Sequence, residues 1–326
     1  MRIDRPDRRA FMAALGSAAA WPVVAHGQQP APMIGFLNGA SAQGYLSAFR
    51  EGLASSGFVE GQNVRIEFRD ANGHDERLPD LAAELVKLNP AVIVAVELPA
   101  ALAAKAATTT IPIVFIASDD PVKKGLVASL ESPGGNATGI NPPIVAAETK
   151  RVGLLHELVP DAARLGALFN PNSPDAASRS EQLDAAGDAL GLDLVFINVA
   201  EDSGLEHAFA WINEQQIDGV LVAADPLFAS HIDHVVALAR EYKLPAVYAS
   251  RLDAVAGGLM SYGPSLANAY RQLGIYTGRV LKGEKPGNIP IWQTDQLELV
   301  INLKTAKAID IDIPPALLAR ADEIIQ

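Results

Sequence analysis

Two short runs, residues 91–96 (Ala-Val-Ile-Val-Ala-Val) and Ile113–Ile116, contain no polar side chain. Continuous apolar runs of this length, rather than alternating ones, suit strands buried on both faces of a parallel sheet. Parallel neighbours cannot be joined by a tight hairpin and need a crossover of a dozen or more residues, usually a helix. The rest of the chain follows the same grammar. A strand at 33–37 precedes a helix face of Tyr45, Phe49 and Leu53, spaced by four. An alternating strand at 64–68 precedes a helix stripe of Leu78, Leu81, Leu85 and Leu88. Strand-like runs resume at 165–169, 192–199, 220–223 and 246–248, with helical stretches between. The expected fold class is therefore α/β, built of right-handed βαβ units.

The chain also repeats itself. Ala91-Val92-Ile93-Val94-Ala95 is followed by Pro99, as Gly219-Val220-Leu221-Val222-Ala223 is by Pro226. Next, Ile111-Pro112-Ile113-Val114-Phe115-Ile116-Ala117-Ser118 matches Leu244-Pro245-Ala246-Val247-Tyr248-Ala249-Ser250. Any two buried strands look alike, but ordered pairing of both strands with their prolines favours two Rossmann-like lobes with parallel sheets. Ile140-Asn141-Pro142-Pro143 is the expected first crossing between them, and Tyr262-Gly263-Pro264 the second, ahead of a helix over 266–281. The expected division is 28–140 plus about 264–290 for one lobe, and 141–263 plus about 291–326 for the other.

With 326 residues, two domains are expected. The chain has no cysteine, which excludes disulfides, thiol nucleophiles, iron–sulfur clusters and cysteine-ligated zinc. The 26 basic side chains against 38 acidic ones, net −12, argue against a nucleic-acid groove. Residues 1–27 differ in character: Arg2, Arg5, Arg8 and Arg9 precede an apolar run ending in small residues, the order of an export signal. The pair Arg8-Arg9 resembles a twin-arginine signal. The expected location is the periplasm, as an exported soluble protein.

In open parallel sheets ligands bind beyond the carboxyl ends of the strands. The candidates there are Asn38, Ser41, Glu97, Ser118 and Asp119 in the first half, and Asn170, Asp225, Phe228, Tyr248, Arg251 and Tyr262 in the second. Hydroxyls and amides suit a carboxylate; Glu97, Asp119 or Asp225 suits an ammonium; Tyr45, Phe228, Tyr248 and Tyr262 suit an aromatic body. Each has a plainer reading. Ser118, Ser173 and Asp225 sit where helix N-caps belong, Tyr45 falls on a helix core face, and Arg251 can pair with a surface acid. No G-x-S-x-G elbow, P-loop or G-x-G-x-x-G occurs. His231 and His234 bracket Asp233 without an evident third metal ligand, and Asn136-Ala137-Thr138 reads better as a turn entering a strand than as a glycosylation acceptor. The Asp119-Asp120 pair has no nucleophile–base set beside it. Neither a metal nor a cofactor is expected.

Several segments together resemble one family: Asp120-Pro121-Val122-Lys123 through Pro133-Gly134-Gly135-Asn136-Ala137-Thr138-Gly139, then Ala256-Gly257-Gly258-Leu259-Met260-Ser261-Tyr262-Gly263, Gly278-Arg279-Val280-Leu281-Lys282-Gly283 and Glu298-Leu299-Val300-Ile301-Asn302-Leu303. The chain from about residue 28 resembles the ABC-transporter substrate-binding proteins of the tryptophan/phenylalanine-binding type. That resemblance implies a type I periplasmic-binding-protein fold with three crossovers and a ligand in the cleft. It also implies a closed form that docks on an ABC permease in the inner membrane. Asn38, Ser41, Ser118, Asp119, Asp225 and Tyr262 would then face the cleft. Glu97-Leu98 departs from the small, glycine-rich residues common there. The expected protein is a monomeric receptor for a small molecule, an amino acid or aromatic compound, rather than an enzyme; the rivals are an exported enzyme or a ligand sensor on the same fold.

Overall fold

The computed structural model describes residues 31–39, 43–173, 176–294 and 296–326. The expected leader, 1–27, and Ser41 lie outside them.

β1 (Met33–Asn38), β2 (Arg65–Asp70), β3 (Val92–Val96), β4 (Ile113–Ile116) and β5 (Ala137–Ile140) form a wholly parallel sheet in the order β2-β1-β3-β4-β5. β3 and β4 are apolar throughout because both faces are covered. Leu37, Ile93, Ala95, Ile113 and Phe115 pack with the helices Leu78–Lys87 and Leu98–Ala107. Ile34, Phe36, Val94, Val96, Val114 and Ile116 pack on the other face with Leu46–Ser55 and Leu266–Leu281. Those last two helices touch backbone to backbone. A Cβ on Gly52 would overlap the Arg271 carbonyl, and one on Gly274 the Phe49 carbonyl, so only glycine permits this approach.

The second sheet holds β6 (Arg164–Phe169), β7 (Asp193–Asn198), β8 (Gly219–Val222), β9 (Ala246–Tyr248), β10 (Met260–Pro264), β11 (Leu297–Asn302) and β12 (Glu323–Ile325), in the order β12-β11-β10-β9-β8-β6-β7. All neighbours are parallel except β10 and β11. That antiparallel step follows from topology. β10 leads away to the helix Leu266–Leu281 on the first sheet, and β11 returns beside it from the opposite end.

The chain passes between the sheets three times: after Ile140, after Pro264, and after Trp292. Ile291 is buried in the core of the first sheet and Trp292 forms a parallel bridge with Ile140, so these two stay with the first sheet rather than beginning the second. Asn141 binds the crossings to a loop. Its N–H donates to the Trp292 carbonyl (2.8 Å), its Nδ2 to the carbonyls of Ala117 (2.7 Å) and Asp119 (2.8 Å), and its Oδ1 accepts from Gln293 (2.9 Å).

Candidate functional site

The carboxyl end of the first sheet carries Asn38, Glu97, Ser118 and Asp119. Asn38 is buried; its Nδ2 donates to Asp70 Oδ2 (3.2 Å), and its Oδ1 has no partner among the described residues. Glu97 begins the helix Leu98–Ala107 with φ 75° and ψ 158°, a conformation that is essentially glycine's own. Its carboxylate covers Gly39: a Cβ there would lie 2.5 Å from Glu97 Oε2 and 3.6 Å from Asp75 Oδ1. Two carboxylates therefore flank one glycine at the tip of β1. Burial raises the Asp75 pKa, and the charges of Glu76 and Asp225 add to it. Asp225 follows β8 of the second sheet, so the charge of a loop on one sheet reaches a carboxyl on the other. The Ser118 hydroxyl, half-buried, makes no hydrogen bond among the described residues.

Across from these, Asn170 and Ser173 both donate to Asp225, Asn170 Nδ2 at 3.0 Å from Oδ1. The Leu227 N–H donates to the same Oδ1 (2.9 Å), making Asp225 the N-cap of the short helix Pro226–Ser230. The capping role read from sequence is thus what the structure gives Asp225.

A hydrogen bond joins elements of the two sheets. The Tyr45 hydroxyl lies 2.8 Å from Ser250 Oγ, and the Tyr45 ring stacks on Tyr270 with centroids 5.1 Å apart. Burial is the main cause that pushes the Tyr45 phenol up to about 12. Ser250 caps the helix Arg251–Val255 in a reciprocal box with Asp253, whose Oδ2 accepts from the Ser250 N–H (3.0 Å). Burial pushes the Asp253 carboxyl up to about 7.

Other candidates are not brought to this gap. Phe228, in the helix Pro226–Ser230, and Tyr248, the last residue of β9, are each 1% exposed and pack inward within the core of the second sheet instead of toward a ligand. Burial raises the Tyr248 phenol far above its ordinary value. Arg251 forms a two-pronged pair with Glu323 (2.6 and 2.7 Å), the surface pairing weighed from sequence. Tyr262 is half-buried, and its carbonyl accepts from Arg151 Nη1 (3.0 Å). Asp120 is a turn residue: its Oδ1 accepts the N–H groups of Val122 and Lys123. His234 contacts Asp202 (3.2 Å), and among the described residues no group of three His, Cys, Asp or Glu is arranged to hold a metal. Asp75 escaped the sequence reading, although the loop after β2 falls under the same strand-end rule. A surface groove of about 740 Å³ on the C-terminal helices is lined by Leu303, Ile311 and Ile313 together with Lys307, Asp310 and Asp312, all from residues 303–318, so no other part of the chain contributes to it.

Two α/β sheets that present polar strand-end loops to each other, with three crossings, define a periplasmic-binding-protein fold of the first type. The chain belongs to the ABC transporter substrate binding protein family, whose model matches residues 32–325. It is 30% identical over 267 residues to a tyrosine-binding protein of Clostridioides difficile, covering 81% of this chain and 75% of that one. A conserved domain protein from Vibrio cholerae superposes with a TM-score of 0.80 at 30% identity, over 90% of this chain and 99% of that chain. The ABC domain in complex with L-Trp from Streptococcus pneumonia superposes at 0.76 and 25% identity, over 90% of this chain and all of that one. The family is one of binding proteins, not enzymes. Among the described residues no helix is long and apolar enough to cross a membrane.

Proposed function

We propose that this protein is the periplasmic solute receptor of an ABC importer, and that its ligand carries an ammonium group, as an amino acid does. The observation that carries the ligand class is the pair of carboxylates, Glu97 and Asp75, over Gly39 at the tip of β1, with Asp225 of the other sheet's loop close enough for its charge to raise the Asp75 pKa. Facing carboxylates in a partly buried gap repel one another and an anionic guest, and a cation between them relieves that repulsion. The hydroxyl of Ser118 and the amides of Asn38 and Asn170 suit the remaining polar groups of an amino acid. The tyrosine-binding relative and the neighbour solved with L-Trp support this class.

The mechanism is ligand-stabilised closure. One lobe is 32–140 with about 264–292, and the other is 141–263 with the residues after 292. Each carries half a site, so only a guest touching both halves distinguishes closed from open. The closed form is what an inner-membrane permease would recognise.

A thermal-shift series tests the ligand class. L-tyrosine and L-tryptophan are compared with 3-(4-hydroxyphenyl)propionate and indole-3-propionate, which lack the ammonium. The amino acids should raise the melting temperature as their concentration passes Kd and be recovered unaltered. Stabilisation by the deaminated acids alone would overturn the ammonium reading, and turnover of any of them would overturn the receptor.

A further inference from the structure

The helix Glu148–Leu158 begins just beyond the first crossing and carries two buried charges on its inner face, Glu148 at 3% exposed and Arg151 at 0%. Glu148 accepts a two-pronged bond from Arg179 (Nε 3.1 Å, Nη2 2.6 Å) and the N–H of Ala224 (2.8 Å). Arg179 Nη2 also donates to the Ala224 carbonyl (2.9 Å). Both backbone groups of Ala224, the residue before Asp225, are thus held by one ion pair. Arg151 reaches the other way. Its Nη1 donates to the Tyr262 carbonyl (3.0 Å) and its Nη2 to the Ile144 carbonyl (3.2 Å), while Nη2 lies 3.5 Å from Glu148. Ile144 follows the first crossing, and Tyr262 lies two residues before Pro264, where the second begins.

A buried ion pair is weak grounds for stability, since apolar packing of similar volume serves as well. Here two arginines share one carboxylate, and Arg151 Nε is left without a partner among the described residues. What the three charges do achieve is a rigid, directional connection. A planar guanidinium can span two carbonyls and a carboxylate at fixed angles, which an ammonium cannot. We propose that Glu148, Arg151 and Arg179 form a positioning relay that ties the Ala224–Asp225 loop to the first two crossings, so that contact of a guest with Asp225 is converted into rotation at the crossings. The relay does not touch the guest, and it rests on the receptor reading above.

The test uses the full chain with each of the twenty protein amino acids in turn, read by calorimetry and by small-angle scattering. The parent should shrink on binding its best amino acid. Arg151→Met and Arg151→Lys should melt cooperatively, bind that amino acid at least tenfold more weakly, and show no shrinkage even at saturation. If Arg151→Met fails to fold, Glu148→Gln is read by the same two measurements, with the same loss expected. Any folded variant of this set that shrinks at saturation as the parent does, with affinity within twofold, overturns the relay, whatever its melting temperature. A parent that shrinks with none of the twenty overturns the receptor reading itself, and the relay with it.

Discussion

The Tyr45 hydroxyl sits 2.8 Å from Ser250 Oγ, joining a residue that packs on the first sheet to the N-cap of a helix on the second. Beside it a Cβ on Gly44 would come within 2.5 Å of Leu252, so the two surfaces are in contact. This hydrogen bond exists only while the sheets are together. Tyr45→Phe keeps the ring on Tyr270 and removes the bond. Its loss is worth about 1 kcal/mol, roughly fivefold in affinity. The unliganded variant should be measurably more extended by small-angle scattering, and bind L-tyrosine or L-tryptophan severalfold more weakly by calorimetry. Unchanged affinity and envelope would show that the contact is incidental to closure.

Asp253 couples the same corner to pH. Its folded pKa, about 7, lies above the ordinary carboxylate value of 3.8, chiefly because it is buried. Between those values the folded protein holds a proton that the unfolded chain gives up. Stability is therefore fully present below about pH 4 for this group and is lost as pH rises through about 7. Burial and the charges of Glu76 and Asp225 raise Asp75 in the same direction. Urea melts should show higher stability at pH 5.5 than at pH 7.5, and Asp253→Asn should flatten most of that slope. An Asn at this position still accepts the Ser250 N–H. Equal slopes in parent and variant would mean that Asp253 ionises normally.

Glu97 stands in a backbone conformation that costs a residue with a Cβ about 1–3 kcal/mol. Glycine would relieve that strain while losing about 0.5–1 kcal/mol to its greater freedom when unfolded. Glu97→Gly should leave the protein equally stable or about 1 kcal/mol more stable in chemical denaturation. The same change should weaken binding of amino acids relative to their deaminated analogues, because one of the facing carboxylates is gone. A variant that gains neither stability nor tolerance of the deaminated acids would separate the strain from any role in binding.

The parts of this fold that the sequence discloses are those where burial acts on every residue of an element. β3 and β4 read as strands because both faces are covered, and the helix Leu266–Leu281 because its apolar stripe meets the first sheet. β11 and β12 were not legible. The three residues of β12 carry no period, and the antiparallel register of β11 is set by where the third crossing returns the chain. Phe228 and Tyr248 show the limit at the site: an aromatic at or just beyond a strand's end looks the same whether it turns to a gap or to the core. Arg151 shows the converse. It stands in the polar run Glu148-Thr149-Lys150-Arg151, with no period to mark it as buried, and the approach of the Ile144 and Tyr262 carbonyls accounts for a guanidinium with no exposure.

Ser118 and Asp225 distinguish a binding role from a structural one when taken together. Asp225 accepts from Asn170, Ser173 and the Leu227 N–H, so Asp225→Ala removes a cap worth about 1 kcal/mol and strands two further donors. That variant should melt earlier but cooperatively, and lose affinity for L-tyrosine or L-tryptophan. Ser118 has no hydrogen bond of its own to lose among the described residues, so Ser118→Ala should change stability by less than about 0.5 kcal/mol. If its hydroxyl serves the guest, affinity should still fall by about 1 kcal/mol, the net worth of one hydrogen bond. Loss of affinity at both positions, with loss of stability at only one, is the pattern that a ligand spanning the two sheets produces. Parent-like binding by both variants would place the ligand elsewhere.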